Sequence, residues 1–204
     1  MINRNTANHY AHIIGIDEAG RGPLAGPLIV GGVLVADTRA LRILKGIRDS
    51  KKLTEKQREK WYGTLVSDDR FICGTTRISP RVIDRLNIAR AADRGALRVY
   101  RKLIWIRETG TIASGYHVLL DAGIRLPEAI SHKIFIKGDE RIPLIAAASI
   151  IAKVTRDRLM RRLHKKYPLY GFDVHKGYGT KLHRERIKEH GLSSAHRISF
   201  RIKT

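Results

Sequence analysis

A chain of 204 residues can bury one substantial core with a small appendage, but hardly two full domains. Its 40 Lys and Arg against 19 acids leave a formal charge of +21, which points to a polyanionic partner, nucleic acid or an anionic membrane surface, unless the whole source proteome is basic. No run of roughly 18 uncharged apolar residues argues for a spanning helix, the polar start with Arg4 lacks the apolar stretch of a secretion signal, and the lone Cys73 suits a reducing cytoplasm.

In chain order, Ile13 to Ile16 and Leu28 to Val35 read as two strands buried on both faces. Between them lies Asp17-Glu18-Ala19-Gly20-Arg21-Gly22-Pro23-Leu24-Ala25-Gly26-Pro27. Thr54 with Gln57 forms a capping-box pattern, so a helix is predicted from Glu55 to about Thr64. Phe71 to Ile78 is the third strand, and Ser79-Pro80 the start of a helix. From the cap Asn87, the apolar residues Ile88, Ala92, Ala96, Val99, Leu103 and Ile106 recur at helical spacing as far as Gly110. Tyr116 to Leu120 and Lys133 to Ile136 are the fourth and fifth strands. The segment from Ile142 to about His164 is apolar up to Ala152 and then basic, which predicts a helix with one half in the core and the other in solvent. A last helix runs from Thr180 to His190 and stops at Gly191. This order predicts an α/β fold, a mixed five-stranded sheet flanked by helices, with a small helical C-terminal region.

Three predicted strands end on acids: Asp17 and Glu18, then Asp121, then Asp139 after Lys137-Gly138. Brought together, these four carboxylates would repel one another unless cations sat among them. Oxygen ligands without His or Cys favour Mg²⁺ or Mn²⁺. The competing role for Asp139 is to cap the helix that begins near Ile142. Because neighbouring strand residues face opposite ways, Asp17 and Glu18 can share a site only if the ladder breaks between or just after them. Gly20 and Gly22, lacking Cβ, allow the backbone beside Arg21 to touch a ligand. Lys51, Lys52, Lys137, Lys153, Lys176 and Lys181 are candidates for phosphate contacts. The glycine spacing fits neither a Walker loop nor a dinucleotide fingerprint. His117, His132 and His175 lack metal-ligand spacing. A binding protein that only grips nucleic acid, its acids capping helices, would explain the charge but not the acids at strand ends.

The opening segment Gly15 to Pro27 resembles the first motif of the ribonuclease HII family, bacterial type. The likeness continues through Asp49-Ser-Lys-Lys-Leu, the strand ending at Asp121, Lys137-Gly-Asp139, the segment Ala146 to Asp157, and Lys176-Gly-Tyr178-Gly-Thr180. The resemblance implies a ribonuclease-H-like catalytic domain over residues 11–165 and a C-terminal helical region, 166–204, that completes the substrate groove. An endonuclease of this kind is expected here as a monomer of the cytoplasm, with no membrane partner. Its activity would be cleavage of the RNA strand of RNA–DNA hybrids and of DNA duplexes 5′ of an embedded ribonucleotide, leaving 5′-phosphate and 3′-hydroxyl ends. Asp17, Glu18, Asp121 and Asp139 would be catalytic and hold two Mn²⁺ or Mg²⁺ ions. Gly20, Arg21 and Gly22 would read the ribose 2′-hydroxyl, Tyr178 would pack on the sugar, and Lys51, Lys153 and Lys176 would touch the substrate. The family usually follows the third acid with glycine, where this chain has Ala122 and then Gly123, so a slightly different turn is expected. The related ribonuclease HIII type usually has lysine in place of Arg21 and an extra N-terminal domain, neither of which fits this sequence.

Overall fold

The computed structural model describes residues 12–35, 37–47, 50, 52–108 and 115–201. Five strands, β1 (His12–Ala19), β2 (Leu28–Val35), β3 (Phe71–Ile78), β4 (Tyr116–Asp121) and β5 (His132–Phe135), form one sheet in the order β3-β2-β1-β4-β5. β1 pairs antiparallel with β2, and β2 with β3, while β4 runs parallel to β1 and β5 parallel to β4. The expected mixed sheet is therefore present, with β3 matching its predicted bounds and β5 one residue earlier than predicted.

Helices cover both faces because strand residues alternate. Ile13, Val33, Val35 and Leu119 pack under α1 (Glu55–Ser67) and α5 (Pro143–Lys166). Ile14, Ile16, Val30, Leu34 and Leu120 pack under α2 (Pro80–Leu86) and α3 (Ile88–Glu108). α5 lies hard against the sheet centre: a Cβ on Gly31 would fall 2.6 Å from the Ala148 carbonyl oxygen, so only glycine permits this approach. The capping box of α1 forms as expected, with the Thr54 hydroxyl accepting from Gln57 N–H at 3.2 Å and the Gln57 side chain accepting from Thr54 N–H at 2.8 Å. Asn87 caps α3 through its side-chain oxygen, but the Ser79 hydroxyl makes no such bond at α2.

α5 corrects one expectation. Its basic half is not wholly solvated: Arg156 is 1% exposed and Asp157 and Met160 are also buried, Arg156 against the turn that holds Ala25 and Pro27 and Met160 against the C-terminal region. That region holds the short α6 (Phe172–His175) and α7 (Lys181–His190), and clusters Tyr170, Phe172 and Ile187 with Met160 and Ala25. α4 (Gly138–Arg141) is a single turn after β5.

Candidate active site

β1 runs on through Asp17 and Glu18, which still pair with Gly31 and Val30 of β2, so no ladder break separates the two acids. What breaks is the other side: pairing with β4 ends at Ile16–Leu120, leaving the last residues of β1 without a β4 neighbour. Asp17 faces Ser149 of α5, whose hydroxyl shares a 2.8 Å bond with that of Ser50, and its Oδ1 accepts the Glu18 N–H at 2.7 Å. Glu18 binds Arg21 (Nη1 to Oε1, 3.3 Å), and Arg21 also donates to the Gly123 carbonyl at 3.1 Å, tying the loop to the end of β4. Asp121 Oδ1 accepts the Gly138 N–H at 2.6 Å.

These three carboxylates line one cavity of about 250 Å³ together with Gly20, Arg21, Gly22, Lys153 and Tyr178. A hollow of about 540 Å³ beside Trp61 and Lys60 is larger but has no carboxylate in its lining, so chemistry rather than volume selects the site. Burial, then repulsion from Glu18 and Asp121, pushes the Asp17 carboxyl well above its ordinary value. Glu18 is raised too, by burial and by Asp121, although Arg21 opposes the shift. Glu18 Oε2 is buried without a hydrogen-bond partner among the described residues. Crowded anions with an unused lone pair are what a hard cation would relieve. The donor set fits such a cation, though among the described residues no three acids, imidazoles or thiols are yet gathered close enough to enclose one.

Asp139 is buried within α4, next to the Gly138 that binds Asp121, but it is not part of the cavity lining. Nor does it cap α5, whose cap position is Ile142. Lys153 reaches the cavity with Nζ 2.8 Å from Asp157. Lys176 does not line it; its Nζ donates to the Asp173 carbonyl. Lys52 pairs with Glu140 at 2.8 Å, and Lys137 and Lys181 lie about a salt-bridge length from Glu140 and Glu185. Lys51, like Asp49, falls outside the described residues.

The two loop glycines differ. Gly20 has φ +100°, and an added Cβ would fall 2.1 Å from Arg156 Nε, so its glycine answers to the protein interior. Gly22 is exposed, and its Cβ would meet only Tyr178, at 4.0 Å. Gly22 is the position that leaves room for a ligand. Tyr178 is 45% exposed, with the Arg156 guanidinium 5.9 Å from its ring. In the turn after Asp121, the Ala122 N–H donates to the Phe135 carbonyl at 3.0 Å, and the positive φ falls on Gly123.

Four groups that sequence reasoning passed over shape the site. Ser149 had a signal, being the one polar residue between Leu144 and Ala152. Arg156, Arg197 and the imidazole pair His183–His196 had none, since their partners lie far along the chain.

The family model for ribonuclease HII matches residues 14–203. The ribonuclease HII of Bacillus cereus (strain AH820) is 44% identical over 189 residues, which is 93% of this chain and 68% of that protein; the Bacillus mycoides (strain KBAB4) enzyme is equally similar. The RNase HII of Archaeoglobus fulgidus, solved in complex with PCNA, superposes with a TM-score of 0.72 at 30% identity, covering 94% of this chain and 96% of that one. Bst-RNase HIII in complex with Mn²⁺ shares the fold at a TM-score of 0.72 and 18% identity, over 97% of this chain and 70% of that one. With a sheet, a cavity and a family model in agreement over nearly its whole length, this chain belongs to the ribonuclease HII family and is a ribonuclease H, an endonuclease acting on RNA–DNA.

Proposed function

We propose that the cavity cuts the RNA strand of RNA–DNA hybrids and, in duplex DNA, the bond 5′ of a single embedded ribonucleotide, leaving 5′-phosphate and 3′-hydroxyl ends. The observation that carries this reading is the meeting of Asp17, Glu18 and Asp121 in one cavity beside the Gly20-Arg21-Gly22 loop and Tyr178. A cleaving group and a ribose-reading group then lie within one small volume.

Asp17, Glu18 and Asp121 hold Mg²⁺ or Mn²⁺, with Asp139 joining them from α4. The orphaned Glu18 oxygen and the raised Asp17 and Glu18 values support a cation there. When bound, such ions supply an activated water and charge stabilisation for in-line displacement at phosphorus. The Glu18 N–H orients Asp17, with Ser149 beside it. Arg21 opposes the upward push on the Glu18 carboxyl and braces the loop against Gly123. The open backbone at Gly22 takes the 2′-hydroxyl, the group that distinguishes RNA from DNA at one position. Tyr178 stacks on the sugar beside it, and Lys153, Lys176 and Lys51 contact phosphates.

The division into a catalytic domain, 11–165, and a C-terminal region, 166–204, that completes the groove is part of the same reading. So is action as a monomer in the cytoplasm, serving DNA replication and repair. Among the described residues, no helix is long and apolar enough to cross a membrane.

The test is a duplex with one ribonucleotide, incubated with and without Mg²⁺. One nick on the 5′ side of the ribonucleotide, dependent on metal and ending in 5′-phosphate, is expected. No nick, or cutting at deoxynucleotides alone, would contradict the reading.

A further inference from the structure

Beneath the Gly20 to Gly26 turn lies Arg197, 1% exposed and contributed by the far end of the chain. Its guanidinium donates to three carbonyls of that turn: Nη2 to Gly20 at 2.6 Å, Nη1 to Arg21 at 2.8 Å, and Nε to Gly26 at 3.0 Å. Its own N–H donates to the Leu24 carbonyl at 2.8 Å. Among the described residues no carboxylate lies within ion-pairing distance of it; it meets backbone oxygens and the Phe200 ring, 5.0 Å away, and feels the more distant charges of Arg156 and Asp84. Burying a guanidinium with no carboxylate in ion-pairing distance is costly, so its place there calls for a purpose.

The peptide geometry supplies one. The Gly20 carbonyl shares a peptide unit with the Arg21 N–H, and the Arg21 carbonyl shares one with the Gly22 N–H. A cationic donor on each oxygen polarises the unit and makes the N–H at its other end more positive. Neither of those N–H groups has a protein acceptor among the described residues, and both residues line the cavity. We propose that Arg197 is a positioning residue for ribonucleotide recognition: its guanidinium fixes and polarises the two peptide units that present the Arg21 and Gly22 N–H groups to the ribose and its phosphate. This rests on the reading of the loop as the ribose sensor.

The segment around Arg197 holds the other substrate-facing piece as well. The Ser193 N–H donates to His196 Nδ1 (2.9 Å), so His196 carries its proton on Nε2 and gives it to His183 Nε2 at 3.1 Å. His183 Nδ1–H then donates to the Tyr178 carbonyl at 2.9 Å. The Gly177 carbonyl accepts from Leu24 N–H at 2.8 Å, joining Tyr178 to the loop. Residues 193–197 thus set the loop and Tyr178 in one frame.

The experiment compares wild type, Arg197→Met and Arg197→Lys, with Gly22→Ala as reference. Four quantities are read: kcat and KM on a singly ribo-substituted duplex, Kd for the same duplex in all-DNA form, and the melting temperature. For Arg197→Met, loss of the charged donors should raise KM about tenfold, with the all-DNA Kd changed by less than about twofold. Arg197→Lys, which keeps the charge but not the three-way fork, should raise KM about threefold, and it carries the test if the methionine variant does not fold. A lower melting temperature with KM unchanged, or a parallel loss of all-DNA binding, would make Arg197 a structural brace only and overturn the inference. If Gly22→Ala leaves KM unchanged, the loop reading itself fails. If Gly22→Ala raises KM while both Arg197 variants keep it, only the role of Arg197 falls.

Discussion

The cavity and the floor under it are charged oppositely and completed to different degrees. In the cavity, three carboxylates crowd together, two of them are raised by burial and mutual repulsion, and one oxygen has no partner. Beneath it, Arg197 spends its guanidinium on three carbonyls, and Arg156 donates to the Pro27 and Ala25 carbonyls at 3.1 and 3.2 Å. His175, His183 and His196 each have both ring nitrogens engaged. A group meant to bind something is left incomplete, whereas a group meant to hold the backbone still is satisfied from within. Among the described residues, the exception below is Arg156 Nη1, which is buried without a partner.

The largest effect should come from neutralising the cavity. Asp121→Asn is expected to lower cleavage by at least about 10³-fold while leaving substrate binding nearly intact. It also removes a negative charge beside Asp17 and Glu18, so the metal-free variant should melt higher, by about 2–4 °C for each kcal/mol of repulsion relieved. Activity near wild type would detach Asp121 from the chemistry.

Next, the two loop glycines separate floor from cavity. Gly20→Ala puts a methyl into Arg156 at a positive φ, and should cost about 2–4 kcal/mol in a denaturant titration. Gly22→Ala meets no clash, and should change stability by less than about 1 kcal/mol while raising KM for the ribo-substituted duplex about tenfold or more. Equal stability losses in the two would erase the distinction between them.

A smaller effect should appear with pH. Burial first, then nearby imidazoles, lowers His183 to about 4 and His196 below its ordinary value, and burial lowers His175. Groups held neutral in this way stabilise the fold above their unfolded value of about 6.5, and that stability is lost as pH falls toward about 4. The melting temperature should therefore drop over that window, and His183→Gln should flatten the drop. A flat profile in the wild type would mean that the floor tolerates protonation.

The smallest effect is expected at the lysines. Lys153, at the cavity rim, should affect substrate affinity more when changed to Ala than Lys176, whose ammonium is already on the Asp173 carbonyl. A lost phosphate contact would also reduce the salt dependence of binding by about 0.9 in log–log slope.

What the sequence announced and what it hid follow from the range of the interactions. Strand β3, the capping box at Thr54 and the stop at Gly191 depend on residues a few positions apart, and each forms as read. Three of the four strand-end acids were legible because an apolar run that stops on a carboxylate is unusual, and they do meet in one cavity. How Glu18 shares the site with Asp17 was legible in part, since β1 ends at Ala19 just after the two acids as expected, but the earlier end of pairing with β4 is a fact of register. The floor was invisible for a related reason. Arg197 meets Gly20 across 177 positions and Arg156 meets Pro27 across 129, and in a chain with so many basic residues nothing local marks these two as buried.

The most direct test of the account is whether the cavity's unfinished charge is completed by a cation. Thermal melting is followed while Mn²⁺ is titrated into wild type and Asp121→Asn without substrate. A ligand that binds only the folded protein raises its melting temperature in proportion to the logarithm of its concentration above Kd. The account predicts a rise for wild type and a much weaker one for Asp121→Asn. No rise in wild type, or the same rise in both, would contradict it.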